Sequence, residues 1–312
     1  MPTRSELSDN RYGRSMRIRK MEERDADAVV ELFRAGDDTN VITVEGFLYR
    51  LRTELPRMRK LNLVAEIDDA VVACGMTGLD ISTSTEGVGW ASVTVDPAHR
   101  SRGIGNDLGR HLLDHLRDIG VTKATAFFRA TEDAERWVVA QGWTQHLRGP
   151  LIALDPRAVP EPVLPDGYRC VAMSGLAPET VFEAIREPAL DEPSPVPHDA
   201  IELDDFLRDW SEPESDLESS TAVLDEDGTV VAFAFLYAVG DRASHGFTGT
   251  VRAHRGRGLA TAAKRRALRT AAERGVTRVT TSNAEENAAM RGINRKLGFE
   301  PIGEHVIYGR DL

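Results

Sequence analysis

The sequence contains little cysteine and no long apolar run. Its two cysteines, Cys74 and Cys170, lie in separate apolar stretches and form neither a C-x-x-C pair nor a Cys/His cluster. A disulfide framework, a zinc site or any other metal site is therefore not expected. No stretch approaches the roughly 20 apolar residues that a membrane-spanning helix requires, and residues 1–19 lack the apolar core of a secretory signal. These absences predict a cytoplasmic protein without a membrane partner.

Positive charge is also scarce. The chain carries 39 Lys and Arg against 50 Asp and Glu, a formal net charge of −11. General nucleic-acid binding is not expected, because such proteins present basic surfaces. The acidity suits a cationic small molecule such as an amine, although acidity that only aids solubility explains it equally well.

An internal repeat dominates what the sequence does contain. The motif R-x-x-G-x-G at Arg100–Gly105 is answered 155 residues later by R-x-x-G-x-A at Arg255–Ala260. Two further pairs keep the same order at almost the same spacing: Val71–Ala73 with Val230–Ala232, and Gly142–Trp143 with Gly298–Phe299. Three ordered matches predict two copies of one fold, and 312 residues agree with about two domains.

A proline-rich segment separates the two copies. Residues 156–167 hold four prolines and a glycine, a composition typical of an extended connector. The predicted domains are therefore residues 1–155 and 168–312, joined by a linker over 156–167. A second proline-rich stretch, Pro188–Pro213, is acidic and carries a short helical pattern. It is predicted to form a lid or, equally, a connecting helix.

Within each copy, short strands alternate with amphipathic helices, which predicts a mixed α/β domain. In both copies the repeated motif follows a strand and opens a helix. Glycines let the backbone turn tightly and approach a ligand, and the unpaired N–H groups at the helix start favour an anion. One such turn is a weak signal, since plain strand–helix connections also carry glycines. Two copies in the same context favour a phosphate-binding site.

These motifs resemble those of a known family. Residues 93–105 and 248–260 resemble the acetyl-coenzyme A signature of the GNAT superfamily of N-acetyltransferases. Residues 287–299 resemble the pattern Asn-x-x-Ala-x-x-Leu-Tyr-x-x-x-Gly-Phe that closes the family's fold, with two departures. The resemblance implies two tandem GNAT-like domains, as in mycothiol-synthase-like enzymes. Each would be a mixed sheet, splayed open between its fourth and fifth strands and flanked by helices.

The resemblance also implies where coenzyme A binds. Its pantetheine arm would follow the fourth strand and be held by residues after the fifth, and its pyrophosphate would occupy the glycine-rich turn. In the C-terminal copy the implied residues are Thr248, Gly249, Thr250, Arg255, Gly256, Arg257, Gly258, Leu259, Ala260, Asn283, Asn287 and Asn294. In the N-terminal copy they are Val93, Val95, Arg100, Arg102, Gly103, Ile104 and Gly105.

The C-terminal copy is predicted to be the working one. It keeps the family's asparagine at Asn287, whereas the N-terminal copy has Thr131 there and is predicted to be degenerate. The C-terminal copy is also locally basic, which suits cofactor phosphates, with a solvated helix face as the alternative. Its basic residues are Arg252, Arg255, Arg257, Lys264, Arg265, Arg266, Arg269, Arg274 and Arg278.

The expected reaction is direct attack of an amine on the acetyl thioester, whose carbonyl would be polarised by N–H groups of the fourth strand. A base must accept the amine's proton, and the candidates are His245, Asp241, Glu285, Glu286 and the carboxylate of Leu312. Asn294 stands where the family has the tyrosine that protonates the leaving thiolate, and an amide cannot act as that acid. Asn294 can still hydrogen-bond the sulfur, while Tyr308 and Tyr237 are candidate donors by residue type alone.

The predicted function is thus acetyl-coenzyme A-dependent transfer of an acetyl group to the amine of a small molecule, by a monomer or a homodimer. The alternatives are a mycothiol-synthase-like enzyme, a protein acetyltransferase and a non-catalytic coenzyme A-binding or sensor protein. Loss of the tyrosine from both copies motivates the last. No motif encodes the acceptor, because acceptor pockets are built from irregular segments.

Overall fold

The computed structural model describes residues 16–312. These residues divide into two compact units. The N-terminal unit holds residues 16–81, 85–146 and 307–312, and the C-terminal unit holds residues 82–84 and 147–306. Each unit contains a mixed sheet flanked by helices. The predicted α/β fold class with two tandem copies is confirmed.

Five strands form most of the N-terminal sheet, in the order β1-β2-β3-β4-β5. Neighbours from β1 to β4 are antiparallel, whereas β4 and β5 run parallel. The elements are β1 (Met16–Lys20), α1 (Ala26–Gly36), α2 (Val44–Arg52), β2 (Leu61–Ile67), β3 (Ala70–Leu79), β4 (Val88–Val95), α3 (Ile104–Asp118), β5 (Lys123–Arg129) and α4 (Glu132–Ala140), followed by β6 (Thr144–Leu154), which continues into the C-terminal unit.

The C-terminal unit repeats this plan. Its strands follow the order β7-β8-β9-β10-β11-β6, and only β10 and β11 are parallel. The elements are β7 (Arg169–Ala172), α5 (Pro178–Ala189), α6 (Leu203–Trp210), β8 (Thr221–Leu224), β9 (Val230–Val239), β10 (Arg242–Thr250), α7 (Leu259–Glu273), β11 (Arg278–Ser282), α8 (Ala288–Leu297) and the first part of β12 (Glu300–Asp311).

The helix after each glycine-rich turn packs on its own sheet through a stripe of small or apolar residues. In α3 the stripe is leucine, at Leu108, Leu112 and Leu116. In α7 the equivalent positions are alanine, at Ala263, Ala267 and Ala271. All of these side chains are fully buried at helical spacing. The unit cores therefore differ in volume at the same structural positions.

The boundary between the units differs from the predicted one. The division falls between residues 146 and 147, inside β6, whose residues Leu151–Leu154 pair antiparallel with β11. The predicted linker is packed, because Val159 is buried in the core beside α7 and its carbonyl accepts a hydrogen bond from Arg269 at 3.1 Å. Residues 307–312 belong to the N-terminal unit, where the Leu312 N–H donates to the Thr122 carbonyl at 3.0 Å. Proline content reports local stiffness and carries no information on such remote strand pairing.

The segment predicted as a lid or connecting helix forms part of the C-terminal core. Phe206 of α6 is buried against Phe182 of α5, with ring centroids 5.5 Å apart. Trp210 packs on the same cluster at 5.5 Å from Phe206. The connecting-helix interpretation therefore describes α6. Among residues 16–312, no helix is both long and apolar enough to cross a membrane.

Candidate functional site

The parallel strands β10 and β11 of the C-terminal unit diverge after a short paired stretch. Their register runs only from Arg242–Ser244 to Arg278–Thr280. Directly afterwards the pairing of β10 with β9 shifts between His245 and Thr248, which marks a β-bulge. Residues 246–250 therefore present main-chain N–H and C=O groups toward a side that β11 does not pair with. This is the splay that the resemblance implies.

The turn between β10 and α7 is open at its glycines. Gly256 and Gly258 have φ values of 76° and 79°, which favour glycine. A Cβ placed on either glycine would meet no atom within 4 Å. The helix then begins at Leu259 with its first N–H groups directed at this space. An anion such as a pyrophosphate fits here on both space and hydrogen-bonding chemistry.

Arg255 braces the turn. Its Nε donates to the Thr250 carbonyl at 3.0 Å, and its Nη2 donates to Asp191 at 2.5 Å. Arg252 also binds Asp191, at 2.7 Å, and its backbone N–H donates to Glu187 at 2.5 Å. Hydrogen bonds from Arg252 and then Arg255 lower the pKa of Asp191 to about 2. Arg255 therefore holds the turn to the end of α5 as well as to its own strand.

Arg257 is another exposed cation of the turn. Its Nη1 donates to the Tyr168 hydroxyl at 2.5 Å, and the guanidinium carbon lies 6.0 Å from the centre of that ring. The same hydroxyl lies 3.0 Å from His254 Nδ1. Tyr168 thus holds Arg257 beside the open turn, where its remaining N–H groups can meet an anion.

The wider basic cluster is mostly used for structure, which corrects the expectation that it seats phosphates. The partners are the Glu161 carbonyl for Arg265, the Thr221 hydroxyl for Arg266, the Val159 carbonyl and the Glu161 carboxylate for Arg269, and the Asp216 carboxylate for Arg274. Lys264 does not face solvent at all, being 1% exposed. The cations of the turn itself, Arg255 and Arg257, adjoin the open glycines.

Buried polar side chains lie beneath the splay. His245, Lys264 and Asn294 are 4%, 1% and 1% exposed, and Thr248 is 9% exposed. Both ring nitrogens of His245, Thr248 Oγ1 and Asn294 Oδ1 are buried without a hydrogen-bond partner. Burial, helped by the charge of Lys264, lowers the pKa of His245 well below its usual value. His245 is therefore a neutral interior residue, and its role as a base stays a prediction.

The three asparagines have distinct positions. Asn294 of α8 donates from Nδ2 to Asn283 Oδ1 at 2.5 Å, so these two are brought together. Asn287 caps α8, because its side chain accepts the Met290 N–H at 3.1 Å. That oxygen is engaged in the cap, and the predicted role of Asn287 in holding the pantetheine arm stays a prediction that its amide Nδ2 could serve.

The remaining catalytic candidates divide between the units. Tyr308 belongs to the N-terminal unit, where its hydroxyl donates to Glu135 at 3.0 Å and its ring stacks on Phe128. Leu312 lies in that unit too, and a catalytic role for either residue stays a prediction. Asp241 precedes the closed end of the β10–β11 pair, where its carbonyl accepts the Thr277 N–H at 2.8 Å.

Three further candidates lie in the C-terminal unit. Glu285 and Glu286 are exposed in the loop after β11. Tyr237 is closer to the splay, because a Cβ on Gly246 in the bulge would come within 2.7 Å of its ring. By position, Tyr237 is therefore the stronger of the two tyrosines proposed by residue type.

In the N-terminal unit an indole lies on the helix that follows the equivalent turn, while Ser101 and Arg102 of the turn itself are exposed. Trp137 of α4 lies against the first turns of α3, where a Cβ on Gly105 would be 3.4 Å from the indole and one on Gly109 3.9 Å. Its Nε1 donates to Asn106 at 2.7 Å. Of the implied cofactor residues here, Val93 and Val95 lie in β4, and Ile104 is buried. Arg100 donates to the Val95 carbonyl at 3.2 Å, and Arg102 is exposed beside Gly103.

Four residues that shape the two sites escaped sequence reasoning as individuals: Trp137, Tyr168, Asp191 and Lys264. For Lys264 a signal exists, because it falls among the buried positions of α7, three residues before Ala267. For the others none exists, since each contacts a turn that is distant along the chain.

Comparisons with known proteins agree with this architecture. A family model described as the Acetyltransferase (GNAT) family matches residues 29–139 and 182–299. A tandem GNAT protein from the clavulanic acid biosynthesis pathway shares 21% identity and a TM-score of 0.74, over 95% of this chain and 98% of that one. A GCN5-related N-acetyltransferase from Sphaerobacter thermophilus shares 20% identity and a TM-score of 0.69, over 98% and 97%. Curated protein sequences gave no match.

Proposed function

Because the chain belongs to the GNAT acetyltransferase family, we propose that its C-terminal unit transfers an acetyl group from acetyl-coenzyme A to the amine of a small molecule. The family uses acetyl-coenzyme A as its acetyl donor. The proposal therefore concerns which unit works, which residues hold the cofactor and which chemical class accepts the acetyl group.

One observation carries the proposal: β10 and β11 separate immediately before a turn that is open to an anion. Residues 246–250 offer main-chain groups to the amides of a pantetheine arm, as an unpaired strand edge does to a peptide. Gly256 and Gly258 leave the space beside the α7 N-terminus clear for a pyrophosphate. Arg257 adds a charge-assisted donor at the same place.

The chain's residues would bind and orient rather than supply a strong base. Bound acetyl-coenzyme A provides the activated acetyl group, and N–H groups of the bulged strand would polarise its carbonyl. Thr248 Oγ1 and Asn294 Oδ1, both buried and without partners, are available for hydrogen bonds to the cofactor arm. The attacking amine would lose its proton to water.

We propose further that the N-terminal unit carries no cofactor. Trp137 contacts the surface of α3 at the first turns, where the family's cofactor would approach. Arg100 is used by the carbonyl of its own strand, as Arg255 is in the other unit. The repeated turn would then survive here as a structural connection.

Net charge favours a cationic acceptor. The formal net charge of −11 attracts cationic amines over distances of about a Debye length, roughly 10 Å at 0.1 M salt. A small amine is the proposed acceptor, and because a mycothiol-like precursor and a protein lysine are amines too, substrate panels distinguish them.

Two measurements on the full chain test the proposal. Calorimetric titration with coenzyme A should give one equivalent. Free-thiol release from acetyl-coenzyme A should then depend on an amine from a panel of polyamines, aminoglycosides and amino acids, with a lysine-bearing peptide as the protein substrate.

Each other outcome has a defined meaning. Two equivalents of coenzyme A would contradict the empty N-terminal unit. Release with the peptide alone would favour a protein acetyltransferase. Tight binding with no thiol release from any amine would favour the non-catalytic sensor, and no binding would overturn the proposal.

A further inference from the structure

A cationic side chain lies where the core of the C-terminal unit would otherwise be apolar. Lys264 is 1% exposed, and its neighbours in the buried face of α7 are Ala263, Ala267 and Leu268. Its Nζ lies 5.5 Å from the centre of the Phe299 ring. Lysine carries a long alkyl chain that normally takes its charge to water. Here the whole side chain stays inside.

Two other elements bring polar groups to the same interior. His245 of β10 follows the last residue that pairs with β11, and the charge of Lys264 lowers its pKa. Asn294 of α8 accepts the Phe299 N–H at its carbonyl, at 3.1 Å, while its buried Oδ1 has no partner. Phe299 thus contacts Lys264 and Asn294 at once. The cluster lies at the base of the splay, where the reacting end of a cofactor arm would arrive.

Within residues 16–312, no carboxylate pairs with the charge of Lys264, and burial, its one resolved influence, lowers its pKa to about 7. The titratable group that interacts with it is His245 from β10. An imidazole is neutral or cationic, so it supplies no anion. A buried ammonium without an anion costs free energy that a ligand of opposite charge would recover.

The N-terminal unit has no lysine at the equivalent position. The position equivalent to Lys264, 155 residues earlier, is Gly109, and the Trp137 indole approaches it instead. The buried cation is therefore present in the unit proposed to bind the cofactor and absent from the equivalent position of the other unit. This difference supports a role for Lys264 toward the ligand.

We propose that the Lys264 ammonium stabilises and protonates the coenzyme A thiolate as it leaves, in place of the tyrosine that Asn294 replaces. The inference rests on the proposed function. The amine nitrogen bonds to the acetyl carbon, and the carbon–sulfur bond breaks with its electron pair on sulfur. The ammonium gives its proton to sulfur, the attacking amine gives a proton to water, and neutral Lys264 regains a proton from water. Asn294, held by Asn283, is a positioning residue for the sulfur.

Titration of the bound thiol tests this without an acceptor. Coenzyme A bound to the full chain is titrated by the ultraviolet absorbance of its thiolate. In the unmodified protein the thiol pKa should lie about one unit below that of free coenzyme A, as expected beside a cation. Lys264→Met keeps the volume and removes the charge, so it should return the thiol pKa to the free value or above. Lys264→Arg keeps the charge and should retain the shift.

Controls separate this inference from the proposed function. Lys296→Met removes an exposed lysine from α8 and should leave the thiol pKa unchanged. Thermal unfolding checks that each variant folds, and Lys264→Gln replaces the methionine variant if it does not. Coenzyme A binding with an unchanged thiol pKa in the charge-removing variant overturns the inference and leaves the proposed function intact. A thiol pKa that rises in Tyr237→Phe, and not in Lys264→Met, also overturns the inference and leaves the proposed function intact. No binding by the unmodified protein overturns both.

Discussion

In the C-terminal unit the strand before the glycine-rich turn is bulged between His245 and Thr248, whereas the equivalent strand of the N-terminal unit pairs without a shift from Val95 to Gly89. The turns differ as well, since Gly256 of one stands where Ser101 of the other is held at a φ of 60°. Shared sequence motifs thus preserve the turn and its bracing arginine. The two parallel strand pairs also diverge alike, after three paired residues in each unit. The units differ in the bulge, in the side chains on the helix after the turn and in the buried lysine.

The largest expected effect comes from closing one turn at a time. Gly258→Val places a branched side chain in the open space and should weaken coenzyme A binding by more than about 100-fold, or roughly 3 kcal/mol. Gly103→Val should leave the affinity unchanged. The two glycines have φ values of 79° and 89°, so the backbone strain of the two variants should be similar. Calorimetric titration of both gives the comparison, and a loss of affinity in the N-terminal variant alone would reverse the assignment of units.

The next effect concerns the helix stripes. Leu112→Ala leaves a cavity under α3, where this side chain lies against Gly75. It should lower the free energy of unfolding by about 3 kcal/mol. Ala267→Leu, at the equivalent place in α7, should instead overpack the core and cost about 1–3 kcal/mol. Denaturant unfolding measures both. Leu112→Ala should still bind coenzyme A. A loss of affinity in this variant would show that the N-terminal unit supports the site.

A smaller effect concerns Asp191, the carboxylate that Arg252 and Arg255 both bind. Asp191 binds Arg252 and Arg255 in the C-terminal unit, and they lower its pKa to about 2. A carboxyl whose pKa is about 4 when unfolded therefore stabilises the fold fully above about pH 4, and this contribution is lost as the pH falls through about 2. Asp191→Asn should cost under about 1 kcal/mol, because the pair is partly exposed and screened by solvent.

The measurement is the difference in unfolding free energy between the unmodified protein and Asp191→Asn, followed with pH. The difference should shrink between about pH 4 and pH 2. Asp96→Asn is the matched variant at the N-terminal turn, where the carboxylate accepts the Ala98 N–H instead of binding an arginine. A difference that stays constant with pH would contradict the ion-pair interpretation of Asp191.

Much of the fold was accessible from local patterns. The repeat, the strand–turn–helix order and the glycines at the helix starts are properties of short segments, and the structure has all of them. The unit boundary was not, because β6 joins the C-terminal sheet through pairing with β11. A proline-rich composition at residues 156–167 therefore predicted a free linker where the chain packs against α7.

The site was accessible only as far as its turn. The spacing of Arg255 and Gly258 identified the turn, but their partners Asp191 and Tyr168 lie far away in sequence. Burial was the other hidden quantity. His245 was predicted as a base from its residue type and its place near the fourth strand, and Lys264 was predicted as part of a solvated or phosphate-facing cluster. Neither pattern reports the solvent exposure of a single side chain, which depends on how strands and helices pack.

The smallest effect exchanges the residues that distinguish the two turns. Ser101 has a φ of 60°, a conformation that costs a non-glycine residue about 1–2 kcal/mol. Ser101→Gly relieves this strain. It also raises the conformational entropy of the unfolded chain, which lowers the free energy of unfolding by about 0.5–1 kcal/mol. The net gain should be about 0.5 kcal/mol, visible as a rise of about 1–2 °C in the unfolding temperature. Gly256→Ser should lose a similar amount, and since its Cβ would meet no atom within 4 Å, that loss would come from the backbone alone. Equal melting temperatures for both variants and the unmodified protein would mean that the two turns differ in what covers them and not in their conformational cost.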